Sequence, residues 1–248
     1  HVLGLNAAYY RPLSEQLGPD QPIFGLTVGL LTPQTPTGVR ETAEFYFNEI
    51  QAHQPTGPLS LSAVSLGSYV AFELARQLLS AGRDVLVLAL FDAEGPGGRV
   101  SLRSGARRRA HFAKLRVEGP KYLLHGLHHK LDDLRNWAEK TRMLWADKLG
   151  QPRKLTLTIE NFVAANELAI QSYVAKPYPR RLTVFRALGN VFDSPESIAN
   201  GLGWKQVATG GLDLIEVPGG HLSILEPPSV EYLAQELQAA IDKAIADR

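Results

Sequence analysis

The sequence predicts an α/β fold: a mostly parallel central sheet flanked by helices, with a helical lid insertion. Three observations carry that expectation. Short apolar strand patterns alternate with segments of helical spacing, the order that crossover-connected parallel strands require. One of them, "DVLVLALFD" at 84–92, is a continuous apolar run of the kind buried on both faces of a parallel sheet. The stretch at about 99–155 breaks the alternation and holds no strand signal at all.

The elements follow in order. "PIFGLTV" (22–28) reads as a strand. Residues 39–53 place Val39, Ala43, Phe47 and Ile50 on one helical stripe. "GPLSLSAV" (57–64) is a short strand after a Pro/Gly turn. Residues 66–80 return to helical spacing through Leu66, Val70, Leu74 and Leu78, and Gly82 ends that helix as a C-terminal cap. Further strands are expected at 181–187 and 212–217, and a last helix at 229–246. In the insertion, Leu123, Leu127, Leu131, Leu134 and Ala138 form the apolar stripe of a long helix. An insertion after a central strand is placed to cover the carboxyl edge of the sheet, where open α/β sheets bind ligands. The whole of 1–248 reads as a single domain. His1-Val2-Leu3-Gly4 reads as the loop after a strand that the sequence lacks, so the chain is expected to begin inside its domain or to be cut from a longer protein.

Apolar residues make up 44% and charged residues 21%, as in an ordinary globular protein. No window approaches the 18 or so uncharged apolar residues of a membrane span, and no basic-then-apolar leader opens the chain. The absence of cysteine excludes disulfides, thiolate metal sites and a cysteine nucleophile, and it suits a reducing, cytoplasmic location. The net charge of +1 hides an asymmetry: residues 99–154 hold 15 Lys/Arg against 5 Asp/Glu, while the rest of the chain holds 11 against 20. The insertion is basic and the body acidic. No nucleic-acid recognition motif or aromatic interleaving accompanies the arginines, so no nucleic-acid partner is expected.

The chemistry centres on "LSAVSLGSYVAFELARQLLSAG" (61–82), where a strand meets Ser65 and a helix follows at once. A nucleophile elbow needs a strand, a sharp strained turn and a helix, with small residues two before and two after the serine. Ala63 and Gly67 meet that steric demand, although the first position is usually Gly. A serine in this setting also serves as an ordinary turn or cap. A nucleophilic serine needs a base. His221, in the glycine turn "VPGGHLSILEPP" after the strand at 212–217, is placed as one, or as a loop histidine with a local hydrogen bond. The acid that orients such a base is Asp92, at the end of the buried strand, or Asp193 in "GNVFDSPES". Both satisfy the order Ser, acid, His, and "DSPES" also resembles a helix N-cap with Pro at the first position. His125, His128 and His129 have metal-ligand spacing on the insertion's polar face, but no fourth ligand accompanies them and no metal is expected.

With these residues the chain resembles the chain-terminating thioesterase domains of nonribosomal peptide and polyketide synthases, members of the α/β-hydrolase fold. The likeness covers nearly the whole chain. It is carried by "YRPLSEQLGPDQPIFGL" (10–26), "QPTGPLSLSAVSLGSYVAFELARQLLSAG" (54–82), "LALFDAEGP" (88–96), "GW" (203–204) and "VPGGHLSILEPP" (217–228). The resemblance implies Ser65 as nucleophile, His221 as base and Asp92 as acid, since the acid of the chain-terminating branch lies just after the elbow helix and its strand. It implies an oxyanion hole from the amides of Leu66 and Val2. It implies a substrate acyl chain delivered on the phosphopantetheine of a carrier-protein domain, upstream in the same polypeptide, and no cofactor in this domain. Arg103, Arg107, Arg108, Arg109, Lys114 and Arg116 are candidates for docking that acidic, phosphate-bearing carrier, or form a solvated helix face. The chain departs from the family at Ser62-Ala63-Val64 and at Gly67-Ser68, where glycines are usual, so a reshaped elbow is expected. Alternative expectations are a free-standing editing thioesterase or carboxylesterase of the same fold, and a non-catalytic binding domain.

Overall fold

The computed structural model describes residues 7–32, 34–96, 159–190, 194–221 and 223–247. The predicted lid at about 99–155 therefore lies outside the described residues, as do Val2, Arg103, Arg107, Arg108, Arg109, His125, His128, His129 and Asp193.

The elements of the described chain are α1 (Arg11–Leu17), α2 (Val39–His53), β1 (Leu59–Val64), α3 (Gly67–Ser80), β2 (Val85–Phe91), α4 (Ile159–Ser172), β3 (Leu182–Ala187), α5 (Pro195–Ala199), β4 (Leu212–Val217) and α6 (Ser229–Ala246). The strands form one sheet in the order β1-β2-β3-β4, every pair parallel. Register brings the carboxyl ends level: Val64 pairs with Phe91, Phe91 with Phe185, and Ala187 with Val217. The loops that follow β1, β2, β3 and β4 consequently open on one edge, the side on which parallel α/β sheets build their sites.

Two apolar layers hold the sheet. On one face α2 and α3 pack through Val39, Ala43, Tyr46, Val70, Leu74 and Leu78, with Trp204 and Tyr178 filling the space beyond. On the other, α1 and α6 pack through Leu13, Val230, Leu233, Leu237 and Ile241 onto Val64, Ala89 and Phe185. β2 is buried at six of its seven positions and β3 at all six, which is why their sequences run apolar without alternation.

The strand expected at 22–28 is absent. Residues 22–29 are irregular and join no ladder, and Phe24 is 82% exposed. Leu26 and Val28 still pack on one core layer and Ile23 on the other. The apolar content is thus real, but a strand also needs a backbone partner, and none of the described residues supplies one. Gly25 lies against Ala7, whose methyl a Cβ would meet at 2.5 Å, so the segment is shaped by that contact and not by a ladder. Three helices carried no strong sequence signal: α1 and α5 are short, with 7 and 5 residues, and α4 follows directly on the basic stretch. In α5 the cap is Ser194, whose Oγ accepts from the Ser197 amide at 3.0 Å with Pro195 at the first helical position. The capping signal in "DSPES" was therefore genuine, and its residue is the serine beside Asp193.

Candidate active site

Ser65 sits between β1 and α3 with φ +53°, one of three non-glycine residues with positive φ among those described. That conformation costs an L-residue roughly 1–2 kcal/mol, so surrounding bonds must enforce it. They are present: the Ser65 amide donates to the Phe91 carbonyl at 3.0 Å, and the Ser68 amide donates back to the Ser65 carbonyl at 3.0 Å. The residue that departs from the family's glycine contributes too, since the buried Ser68 hydroxyl donates to the Ala63 carbonyl at 3.2 Å. Ser68 thus fastens the first turn of α3 to the end of β1 beneath the elbow. On the edge of β1 away from β2, the Val64 amide meets no strand among the described residues and donates to the buried Tyr10 hydroxyl at 2.9 Å. No periodic pattern in the sequence singled out Tyr10.

Asp92 ends β2 in a similar way. Its φ is +43°, and its amide donates to the Phe185 carbonyl of β3 at 2.6 Å. Its carboxylate is buried; Oδ1 accepts the Ala187 amide at 2.9 Å and Oδ2 the Asn190 side-chain amide at 3.4 Å. The loop beyond it is tied to the turn at 201–204. The Trp204 indole donates to the Ala93 carbonyl at 2.8 Å, and the Gly95 amide to the Leu202 carbonyl at 2.7 Å. This is the structural content of the "GW" dipeptide.

His221 follows β4 in a turn closed by the Ser223 amide on the Gly220 carbonyl at 3.0 Å. The Ser223 hydroxyl accepts the Gly220 amide at 3.0 Å. The loop reaches across the end of β3 to put His221 Nδ1 2.7 Å from Asp92 Oδ2 and Nε2 3.2 Å from Ser65 Oγ. A carboxylate only accepts, so Nδ1 carries the proton toward Asp92 and leaves the Nε2 lone pair facing the Ser65 hydroxyl. The proton affinity of His221 is raised, chiefly by the hydrogen bond to Asp92, with the charges of Asp92 and Glu94 acting the same way and burial opposing them. The imidazole is 40% exposed while the acid side chain is fully covered, so a substrate can reach the base but not the group that orients it.

The structure therefore brings Ser65, His221 and Asp92 into one hydrogen-bonded chain at the carboxyl edge. Leu66 is the N-cap residue just before α3, and its amide donates to no acceptor among the described residues. Among the described residues no cluster of three His, Asp or Glu side chains could hold a metal ion, and no helix is long and apolar enough to cross a membrane.

The thioesterase-domain family model matches residues 1–241. Chondramide synthase of Chondromyces crocatus is 27% identical over 261 residues, covering 99% of this chain and 6% of its own length. A dimodular nonribosomal peptide synthase of Bacillus subtilis is 24% identical, covering 98% of this chain and 10% of its own length. The chain thus spans a tenth or less of these two relatives. Among solved structures, a four-domain nonribosomal peptide synthetase, AB3403, is similar at a TM-score of 0.65 with 24% identity, over 96% of this chain and 19% of that one. The NocB thioesterase domain, in covalent complex with a fluorophosphonate nocardicin G analogue, is similar at 0.61 with 20% identity, over 97% and 91%. These structural likenesses extend the fold to the α/β-hydrolase class. By the match over 1–241, the chain belongs to the thioesterase-domain family.

Proposed function

We propose that this domain releases an acyl chain from the phosphopantetheine arm of a carrier protein through an acyl-enzyme on Ser65. The observation that carries the reading is the chain Ser65 Oγ–His221 Nε2, 3.2 Å, and His221 Nδ1–Asp92 Oδ2, 2.7 Å, with Ser65 held at positive φ. Ser65 Oγ attacks the thioester carbonyl carbon while His221 Nε2 takes the hydroxyl proton. Asp92 holds the tautomer and balances the imidazolium that forms. The tetrahedral oxygen accepts hydrogen bonds from the Leu66 amide and, by family likeness, the Val2 amide. Collapse breaks the C–S bond, and the departing thiolate takes the proton from His221. Water, a hydroxyl or an amine then gives its proton to His221 and attacks the acyl-enzyme carbonyl; collapse breaks the C–Oγ bond, Ser65 Oγ takes the proton from His221, and the product leaves as acid, ester, macrocycle or amide. These steps call for no metal or redox group.

The partner in this reading is an acyl or peptidyl carrier domain, as in the multidomain synthases that match the chain. The basic residues at 99–154 suit an acidic carrier bearing a phosphate. Turnover of a carrier-bound acyl chain and of the same chain on a small pantetheine thioester tests the reading, with the product mass identifying the acceptor. Hydrolysis or cyclisation of the thioesters supports it, and activity on aryl esters alone rejects it. Charge reversal at Arg107, Arg108 and Arg109 is expected to weaken turnover of the carrier-bound substrate about tenfold at low salt, less at high salt, and to spare the small thioester. Equal losses on both substrates would reject the docking role.

A further inference from the structure

We propose that the short turn at 187–190 is a positioning brace shared by acid and base, and that Asn190 is the residue in it that holds the Asp92 oxygen facing His221. The proposal rests on the Ser65–His221–Asp92 reading above. It starts from geometry. The Asn190 amide donates to the Ala187 carbonyl at 3.1 Å, closing a turn directly after β3. That turn aims two donors at one carboxylate: the Ala187 backbone N–H at Asp92 Oδ1, 2.9 Å, and the Asn190 side-chain amide at Asp92 Oδ2, 3.4 Å. Between them, the Gly189 amide donates to the Gly219 carbonyl at 2.6 Å, in the loop that carries His221. A Cβ on Gly189 would stand 2.8 Å from that carbonyl oxygen and 3.2 Å from Gly220 Cα, so the approach needs glycine. Within four consecutive residues, Ala187 and Asn190 thus touch the acid and Gly189 the base loop. β3 lies between β2 and β4, so the turn at its end is the natural spacer between the residues that follow those two strands.

Asn190 has a further effect because of which oxygen it uses. Asp92 Oδ2 accepts from both Asn190 and His221 among the described residues. The Asp92 side chain is fully covered, so solvent has no direct access with which to replace a lost donor. A neutral donor on Oδ2 satisfies part of the carboxylate's demand and reduces its pull on the imidazole proton. Among the described residues, the charged groups acting on His221 are Asp92, at the end of β2, and Glu94, in the loop that follows. The β1 side brings the neutral Ser65, and the β3 side the neutral Asn190. Both charges favour imidazolium; burial of the ring opposes them, and the neutral donor on Oδ2 acts in the same direction as burial.

The test is the pH dependence of covalent labelling of the full chain by a fluorophosphonate, read by intact mass, which reports activation of Ser65 without needing the natural acyl chain. In the unaltered chain labelling should rise through a midpoint set by His221. Asn190→Leu, similar in size and without donors, should move that midpoint up by about half a pH unit and slow labelling several-fold at the plateau. Asn190→Asp, nearly isosteric, adds a like charge beside Asp92 and should move it up by about one unit or more. If Asn190→Leu fails to fold by circular dichroism, Asn190→Asp carries the test alone. Unchanged midpoints in folded variants would overturn the brace while leaving the Ser65 reading intact. No labelling of the unaltered chain at any pH would overturn that reading, and the brace with it.

Discussion

Replacing Asp92 by Asn is expected to lower the acylation rate about 10⁴-fold with little change in stability of the sheet, because backbone and volume are kept and the charge is lost. The amide no longer compels Nδ1–H, so the tautomer that presents the Nε2 lone pair to Ser65 loses its fixed population. The pH dependence should move as well. His221 is a base only when neutral, and its proton affinity is held up first by the hydrogen bond to Asp92. In the unaltered protein activity therefore falls as pH drops through a midpoint above the ordinary histidine value, about 6.5. In Asp92→Asn the principal cause is gone and burial acts against the cation, so the midpoint moves to lower pH even as the plateau falls. Single-turnover acylation by a pantetheine thioester across pH 5–9 or so measures both effects. Asp193→Asn serves as the comparison and is expected to fall within about tenfold of the unaltered rate. The reverse ranking would place the acid at Asp193.

Replacing Trp204 by Ala is expected to cost about 3–5 kcal/mol of stability, read as a lowered urea midpoint at unchanged slope. Trp204 is fully buried, with ring centroids 5.4 Å from Tyr69 and 5.2 Å from Phe72, both on α3. Its indole N–H also satisfies the Ala93 carbonyl, one residue past Asp92. Trp204→Phe separates the two contributions. It keeps most of the packing and leaves the carbonyl unpaired, for a cost of about 1–3 kcal/mol. Because that carbonyl belongs to the acid's own loop, the Phe variant should lower acylation by more than it lowers the folded fraction. A purely structural tryptophan would leave the rate of the folded protein unchanged.

What the sequence made legible follows from how locally each feature is determined. The helices Val39–His53 and Ser229–Ala246 were read at their observed bounds, because each has a long amphipathic stripe and a clear stop. The four paired strands were read to within two residues, since β2 and β3 are apolar throughout and β1 and β4 are bounded by Gly and Pro. Ser65 and His221 were legible because elbow and glycine turn are short contiguous patterns. The choice between Asp92 and Asp193 was not, until family likeness favoured the first; acid and base are 129 residues apart, and only register decides which loops meet. The segment 22–28 failed for the same reason, as strand propensity cannot supply a ladder partner. Tyr10 and Asn190 lie in quoted stretches, but their roles were not legible there, because each reaches a backbone amide or carboxylate far away in sequence.

The most direct test of the account is to trap the acyl-enzyme. The chain is mixed with an acyl-pantetheine thioester, quenched within one turnover, and its intact and peptide masses are measured alongside the thiol released. One acyl group is expected on the peptide containing Ser65, formed in step with the thiol, and neither signal above background in Ser65→Ala. Thiol release that persists in Ser65→Ala, or acyl transfer to any other residue, would contradict it.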